Sequence, residues 1–225
     1  MKRLTIEQLD CDGALREAAD RVGSRADLLR TFAVGGAGLI AALALTEDGA
    51  GATAGDVDIL NYALTLEYLQ ASFYTEAERL GALTGKTAQA ARVLGSVERA
   101  HVQALRKALG PAAVARPLFN FAGVTEAQQK FLKTAVAFED LAVAAYKGQA
   151  GRISAKPLLA AAISIHSVEA RHAAWMRHLF GIVPAEHAFD EALTRPAVEK
   201  IVVSTRFIAS QPKTSTTGGR PNLTG

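Results

Sequence analysis

One hexapeptide pattern occurs twice in this chain and constrains most of what it can fold into. Ser96-Val97-Glu98-Arg99-Ala100-His101 and Ser167-Val168-Glu169-Ala170-Arg171-His172 both read Ser-Val-Glu-x-x-His and stand 71 residues apart. Residues three apart share one face of a helix, so each copy points a carboxylate and an imidazole the same way. Another glutamate precedes each copy, by 31 and 30 residues, inside an apolar helical pattern: Glu67 in Leu66-Glu67-Tyr68-Leu69 and Glu139 in Phe138-Glu139-Asp140-Leu141. Four carboxylates and two imidazoles on four helices form the ligand set of a two-metal site in a helix bundle.

The flanking sequence supplies those four helices. Apolar positions Ile59, Ala63, Leu66, Leu69, Phe73, Ala77 and Leu80 recur at steps of three and four and predict a helix over about 57–81, capped by Asp56 or Asp58 and closed by Gly81 and Thr84-Gly85. A second helix, about 87–109, stops at Gly110-Pro111. The stretch to about 124 holds two prolines, two phenylalanines and no helical period. Such a connection suits the long crossover between second and third helices that some bundles need. A third helix, about 125–149, opens on Thr125 as cap with Gln128 completing a capping box, and a fourth, about 155–180, admits Pro157 in its first turn and ends at Gly181. Shorter helices are predicted near 185–194 and 196–208. The chain thus divides into a leader, apolar segment and linker (1–55), a four-helix bundle (56–182), short C-terminal helices (183–210) and a polar, disordered tail (211–225). With 49% hydrophobic residues a substantial core is affordable, and only 6% aromatics beside abundant alanine favour close-packed helices over a sheet.

The halves match beyond the Ser-Val-Glu-x-x-His motif. Glu67 and Glu139 are each followed at plus two by leucine (Leu69, Leu141) and at plus seven by tyrosine (Tyr74, Tyr146), as in an internal duplication of one helical hairpin. The single cysteine, Cys11, excludes an internal disulfide and any Cys-rich zinc or iron site, so a metal must be held by oxygen and nitrogen. Net charge is +3, without a Lys/Arg block or aromatic-basic interleaving, so nucleic acid is not an expected partner.

Four glutamates converging inside an apolar bundle repel one another and lose hydration, a cost that divalent cations remove. One imidazole per ion favours iron or manganese over calcium or magnesium. Three stretches then carry a family resemblance: Asp58-Ile59-Leu60-Asn61-Tyr62-Ala63-Leu64-Thr65-Leu66-Glu67-Tyr68-Leu69, Ser96 to His101, and Ser167 to Trp175. Over roughly 56–185 the chain resembles the ferritin-like superfamily of di-metal carboxylate proteins, and most closely the bacterial ferritin-like proteins met as exported or desiccation-associated proteins. The resemblance implies an all-α, ferritin-like four-helix bundle and six metal ligands, Glu67, Glu98, His101, Glu139, Glu169 and His172. It implies two iron ions, or alternatively manganese, reacting with oxygen or hydrogen peroxide in the manner of a ferroxidase, peroxidase or catalase. Family precedent makes Glu67 and Glu139 terminal and Glu98 and Glu169 bridging; spacing alone does not say which carboxylate bridges. The expected chain is therefore an oxidoreductase that assembles with copies of itself.

Other side chains have more than one reading. His166, three residues before Glu169, either supports the ligands from outside or sits buried or at the rim. Tyr74 and Tyr146 hydrogen-bond ligands, or shuttle electrons, or simply pack, and Tyr62 and Gln70 stand under the same choice. His178 and His187 are expected to face solvent or pack locally, Arg171 to pair with a carboxylate, and Trp175 to join the core.

Before the bundle, a polar leader (1–24) is followed by Arg25-Ala26 and an uncharged apolar run from Phe32 to Leu45, too short for a comfortable bilayer span. The arrangement resembles a twin-arginine export signal in which one arginine of the pair is missing. It places the protein in the cell envelope or outside the cell. The alternative is a cytoplasmic protein whose N-terminal helix packs on the domain or on a neighbour. A competing function follows from this segment: a non-catalytic ferritin-like scaffold, docked to a membrane or shell through residues 25–46.

Overall fold

A computed structural model describes residues 52–209 of the chain. The leader, the apolar segment 25–46 with its export and docking expectations, and the tail from Gln211 lie outside the described residues. Four long helices follow one another: α1 Ala54–Leu80, α2 Gly85–Leu109, α3 Gln128–Ala150 and α4 Lys156–Phe180. Short turns, 81–84 and 151–155, fold α1 onto α2 and α3 onto α4, and the two hairpins meet through α1 against α3 and α2 against α4. The expected long crossover joins α2 to α3 over 110–127. Among the described residues no helix is long and apolar enough to cross a membrane.

The bundle interior consists of two apolar clusters. At the end where α1 closes and α3 begins, Phe73 stacks on Phe131 with ring centroids 4.9 Å apart, and Tyr74, Phe121 and Phe138 stand edge-on to Phe73. At the opposite end the cluster is mainly aliphatic, with Leu60, Leu64, Leu105, Leu158 and Ile165 among its members. Edge-to-face contacts add directional packing to the aromatic end that the aliphatic end lacks.

Helix ends depart from the sequence expectation in instructive ways. α1 is capped by Thr53, not by Asp56 or Asp58; Asp56 is the third residue of the helix and closes a capping box with Thr53. Its other oxygen accepts from Ser154 N at 2.7 Å, in the turn of the opposite hairpin. α3 begins at Gln128 after a 3-10 turn at Val124–Glu126, and neither Thr125 nor Gln128 caps it. Thr125 donates instead to Glu76 at 2.7 Å, and Gln128 Oε1 accepts from Thr84 N and Thr84 Oγ1 in the α1–α2 turn. Tertiary partners have taken the groups that local capping would have used. Gly81 and Gly181 end α1 and α4 in the left-handed region, at φ 65° and 87°.

The helix expected at 185–194 does not form. That segment runs across α3, with Leu193 N donating to Ala144 O at 3.1 Å and Lys147 Nζ donating to Asp190 O. It passes at Gly148, where a Cβ would stand 1.9 Å from Leu193 O. Pairing with α3 and placing Leu193 against the aromatic cluster outweigh a ten-residue helix that is marginal alone. One helix, α5 (Arg195–Thr205), follows; it ends before 208 because Arg206 turns left-handed, at φ 58°. Ile208–Ala209 (β2) then pairs antiparallel with Leu118–Phe119 (β1) of the crossover. Val198, Val202 and Phe207 join the aromatic cluster, so α5 and β2 cover the α1–α3 side.

Candidate metal centre

Each helix of the bundle brings its carboxylate to one level. Glu67 (α1), Glu98 (α2), Glu139 (α3) and Glu169 (α4) are each 0% exposed, and His101 and His172 are 6% and 5% exposed. The i, i+3 spacing turns each imidazole to the face of its own glutamate, with Nδ1 inward. His101 Nδ1 lies 3.3 Å from Glu67, 3.4 Å from Glu98 and 3.1 Å from Glu169. His172 Nδ1 lies 2.9 Å from Glu98, 3.6 Å from Glu139 and 3.8 Å from Glu169. The two ring centroids are 6.4 Å apart.

The six side chains predicted from the sequence therefore converge, and they do so as two overlapping groups. Glu67, Glu98, His101 and Glu169 form one, and Glu98, Glu139, Glu169 and His172 the other; in each, the ligand atoms lie within 4.8 Å of one another. Glu98 and Glu169 belong to both, each with one oxygen toward either imidazole.

Tyr74 donates to Glu139 Oε1, and Tyr146 donates to Glu67 Oε1 at 2.6 Å. The bonds cross between hairpins: each tyrosine stands two turns beyond one glutamate and holds the other. Helical side chains lean toward the N-terminus, which brings the hydroxyl back to the level of the carboxylates, and the antiparallel α1–α3 pairing puts the opposite glutamate within reach. The plus-seven spacing flagged both tyrosines; the partner was not legible without that pairing. Burial first, then the glutamate charges, push both phenols well above their ordinary range, so they stay protonated and donate.

The electrostatics are those of charges crowded in a dry space. Burial, then the Glu169 charge, raises Glu98 well above the ordinary carboxylate range. Burial also raises Glu139, to about 7, against the pull of His172 and Tyr74. Glu169 is buried as deeply, but the two imidazoles beside it hold it below the ordinary value. Two neighbouring carboxylates thus divide, one toward the neutral and one toward the charged form. Burial opposes charge on both histidines, yet the surrounding carboxylates win: His101 is raised well above its usual value and His172 to about 12.

A cation fits this cluster. Glu67 Oε2, Glu139 Oε2, both oxygens of Glu98 and of Glu169, and Nδ1 of each histidine are buried without a partner in hydrogen-bond geometry. Buried polar groups are almost always satisfied, and each orphan costs about 1–3 kcal/mol or more. All eight atoms belong to the two groups just described, and oxygen with nitrogen donors at this density is the chemistry of a metal site.

His166 joins neither group. It is partly buried, with Nε2 4.0 Å from Asp190 in the C-terminal segment. Gln70 is buried in α1, and Tyr62 carries the Arg195 guanidinium 5.1 Å from its ring centroid. His178 is exposed, and His187 is exposed beside Glu186 at 3.2 Å. Trp175 packs, partly buried, against the aromatic cluster. The ion pair expected of Arg171 is absent among the described residues: the side chain points to solvent, and Arg177–Asp140 and Arg99–Glu78, both at 2.9 Å, are the pairs that brace each hairpin.

A family model described as a ferritin-like domain matches residues 55–181, more than half the chain. No curated protein matches it.

Proposed function

We propose, because this chain belongs to the ferritin-like domain family, that the cluster holds two redox-active divalent ions, iron or alternatively manganese, which react with dioxygen or hydrogen peroxide. The observation that carries this reading is the sharing of Glu98 and Glu169 between two four-residue groups. A single-ion site would need one such group. One ion would be held by Glu67, Glu98, His101 and Glu169, the other by Glu98, Glu139, Glu169 and His172. Four carboxylates match the charge of two divalent cations. When bound, such ions supply the electrons for oxygen or peroxide chemistry.

The protein's own contribution is positional. Tyr74 and Tyr146 each occupy one oxygen of a glutamate that belongs to a single group and leave the other oxygen to the cluster. The apolar clusters keep bulk water from both ends of the bundle. Ion uptake displaces the protons that His101, His172 and Glu98 hold in the metal-free state, so affinity falls as pH falls.

Elemental analysis of anaerobically purified protein, followed by stopped-flow absorbance on adding ferrous iron and then dioxygen or peroxide, tests the reading. Two iron or manganese ions per chain with oxidant consumption is the expected result. A stable protein that takes up no more than one ion, or that loads both and consumes neither oxidant, sinks it.

A further inference from the structure

The two faces of the cluster differ in how they meet the outside. Toward α2 and α4 the imidazoles are its only partly exposed groups. Toward α1 and α3 most of the seam is covered by α5, pinned by the Arg195–Asp58 pair at 2.7 Å. A gap opens there, an apolar crevice whose lining includes Leu60, Ala63 and Leu66 of α1, Ala145 and Tyr146 of α3, and Ala162 of α4. It offers about 20 Å³, room for the centre of one small molecule. Leu66 adjoins Glu67, and the Tyr146 hydroxyl is bonded to Glu67, so a guest in the crevice is one side chain from the cluster.

The lining selects the guest. A water held in a cavity needs two to four polar partners, and hydrogen peroxide needs as many. The Tyr146 hydroxyl is committed to Glu67, and Gln149 Oε1 accepts from Arg152 at 3.2 Å. Tyr62 contributes one hydroxyl without a partner and Gln149 its amide nitrogen at the edge, the bare minimum that a held water requires. The remaining side chains of the lining, Ile59, Leu60, Ala63, Leu66, Ala145, Ile153 and Ala162, are hydrocarbon. An apolar diatomic gives up no hydrogen bonds on moving into such a space, and its size suits it.

We infer that the crevice between α1 and α3 is a dioxygen site, delivering the gas to the Glu67 side of the cluster while ions and protons exchange past the histidines. This rests on the redox reading above and names dioxygen as the oxidant that uses this route. Xenon is the probe for the first test, because it reports apolar cavities without any metal. Xenon-pressurised crystals of the metal-free protein should show the gas between Ala63, Leu66 and Ala145, and Ala162→Leu, which fills the space, should remove it. In iron-loaded protein, Ala162→Leu should slow oxidation by dioxygen at least about tenfold while peroxide consumption and iron stoichiometry stay within about twofold of the parent. Ala63→Val, a smaller intrusion from α1, should act in the same direction and guards against a misfolded first variant. Xenon missing from the crevice of the parent protein overturns the inference, whatever the variants do. So does a parent that reacts with dioxygen beside folded variants that react equally fast; in that case the redox reading survives. A parent that loads iron and consumes neither oxidant ends the redox reading instead, and the xenon result still stands as an independent measure of the crevice.

Discussion

The two hairpins repeat each other at the cluster and part company elsewhere. Glu67 and Tyr74 recur as Glu139 and Tyr146, and Glu98 and His101 as Glu169 and His172. Away from the carboxylates, Gly95 of α2 corresponds to His166 of α4, and Glu76 of α1 to Gly148 of α3. A Cβ at Gly95 would meet Glu78 Oε1 at 2.2 Å and Tyr74 Cβ at 2.8 Å, so α1 and α2 approach closely there. His166, in the equivalent place, faces Asp190. Glu76 accepts from Thr125 of the crossover, whereas Gly148 admits Leu193 of the C-terminal segment. Both hairpins must present the same chemistry to the cluster, so those residues repeat; elsewhere each helix packs against different neighbours, so the corresponding residues differ.

The largest test of this contrast removes a shared carboxylate. Glu98→Gln should weaken uptake of both ions by more than about 100-fold, whereas Glu139→Gln should strip chiefly the ion beside His172; metal titration followed by elemental analysis checks the difference. Tyr74→Phe and Tyr146→Phe come next. Each should lower affinity by about 10–100-fold, to a similar extent if the inner faces are equivalent, as manganese titration calorimetry would show. Unequal losses would break the equivalence.

Away from the cluster the halves should behave unequally. Gly148→Ala should destabilise by about 1–3 kcal/mol, because the clash with Leu193 exceeds the roughly 1 kcal/mol that alanine gains in helix propensity. Glu76→Ala should cost about 1 kcal/mol or less, through its lost bond to Thr125; urea unfolding of both variants measures the gap. The smallest effect concerns the two clamps between hairpins. Burial raises the Asp56 carboxyl, but bonds from Thr53 and Ser154 outweigh it and hold the group below its ordinary 3.8. Its contribution is present above pH 3.8 and lost as pH falls through the lower folded value. The stability gap between parent and Asp56→Asn should therefore close on acidification, while the gap for Gln128→Ala, at the uncharged counterpart, should not change with pH.

The bundle and its six converging side chains were legible because helical period, terminators and paired motifs all act locally. What escaped was set by partners distant in sequence. Thr125 and Gln128 each had the chemistry of a cap, but a group 49 or 44 residues away claimed each side chain; Asp56 gave up the cap position to Thr53, kept one oxygen for it and turned the other to Ser154, 98 residues on. The 185–194 segment has an amphipathic pattern, yet α3 offered its backbone better partners than its own helix would. The tyrosines were visible by spacing, while their crossed attachment needed the helix pairing.

Those clamps reach further than the ends they fasten. Asp56 of the first hairpin holds the bend of the second, and Gln128 of the second holds the bend of the first. Neither half can finish its own corner unaided. The smallest piece able to melt and reform is then the whole pair, and slow-exchanging amides should be lost from all four long helices in a single step.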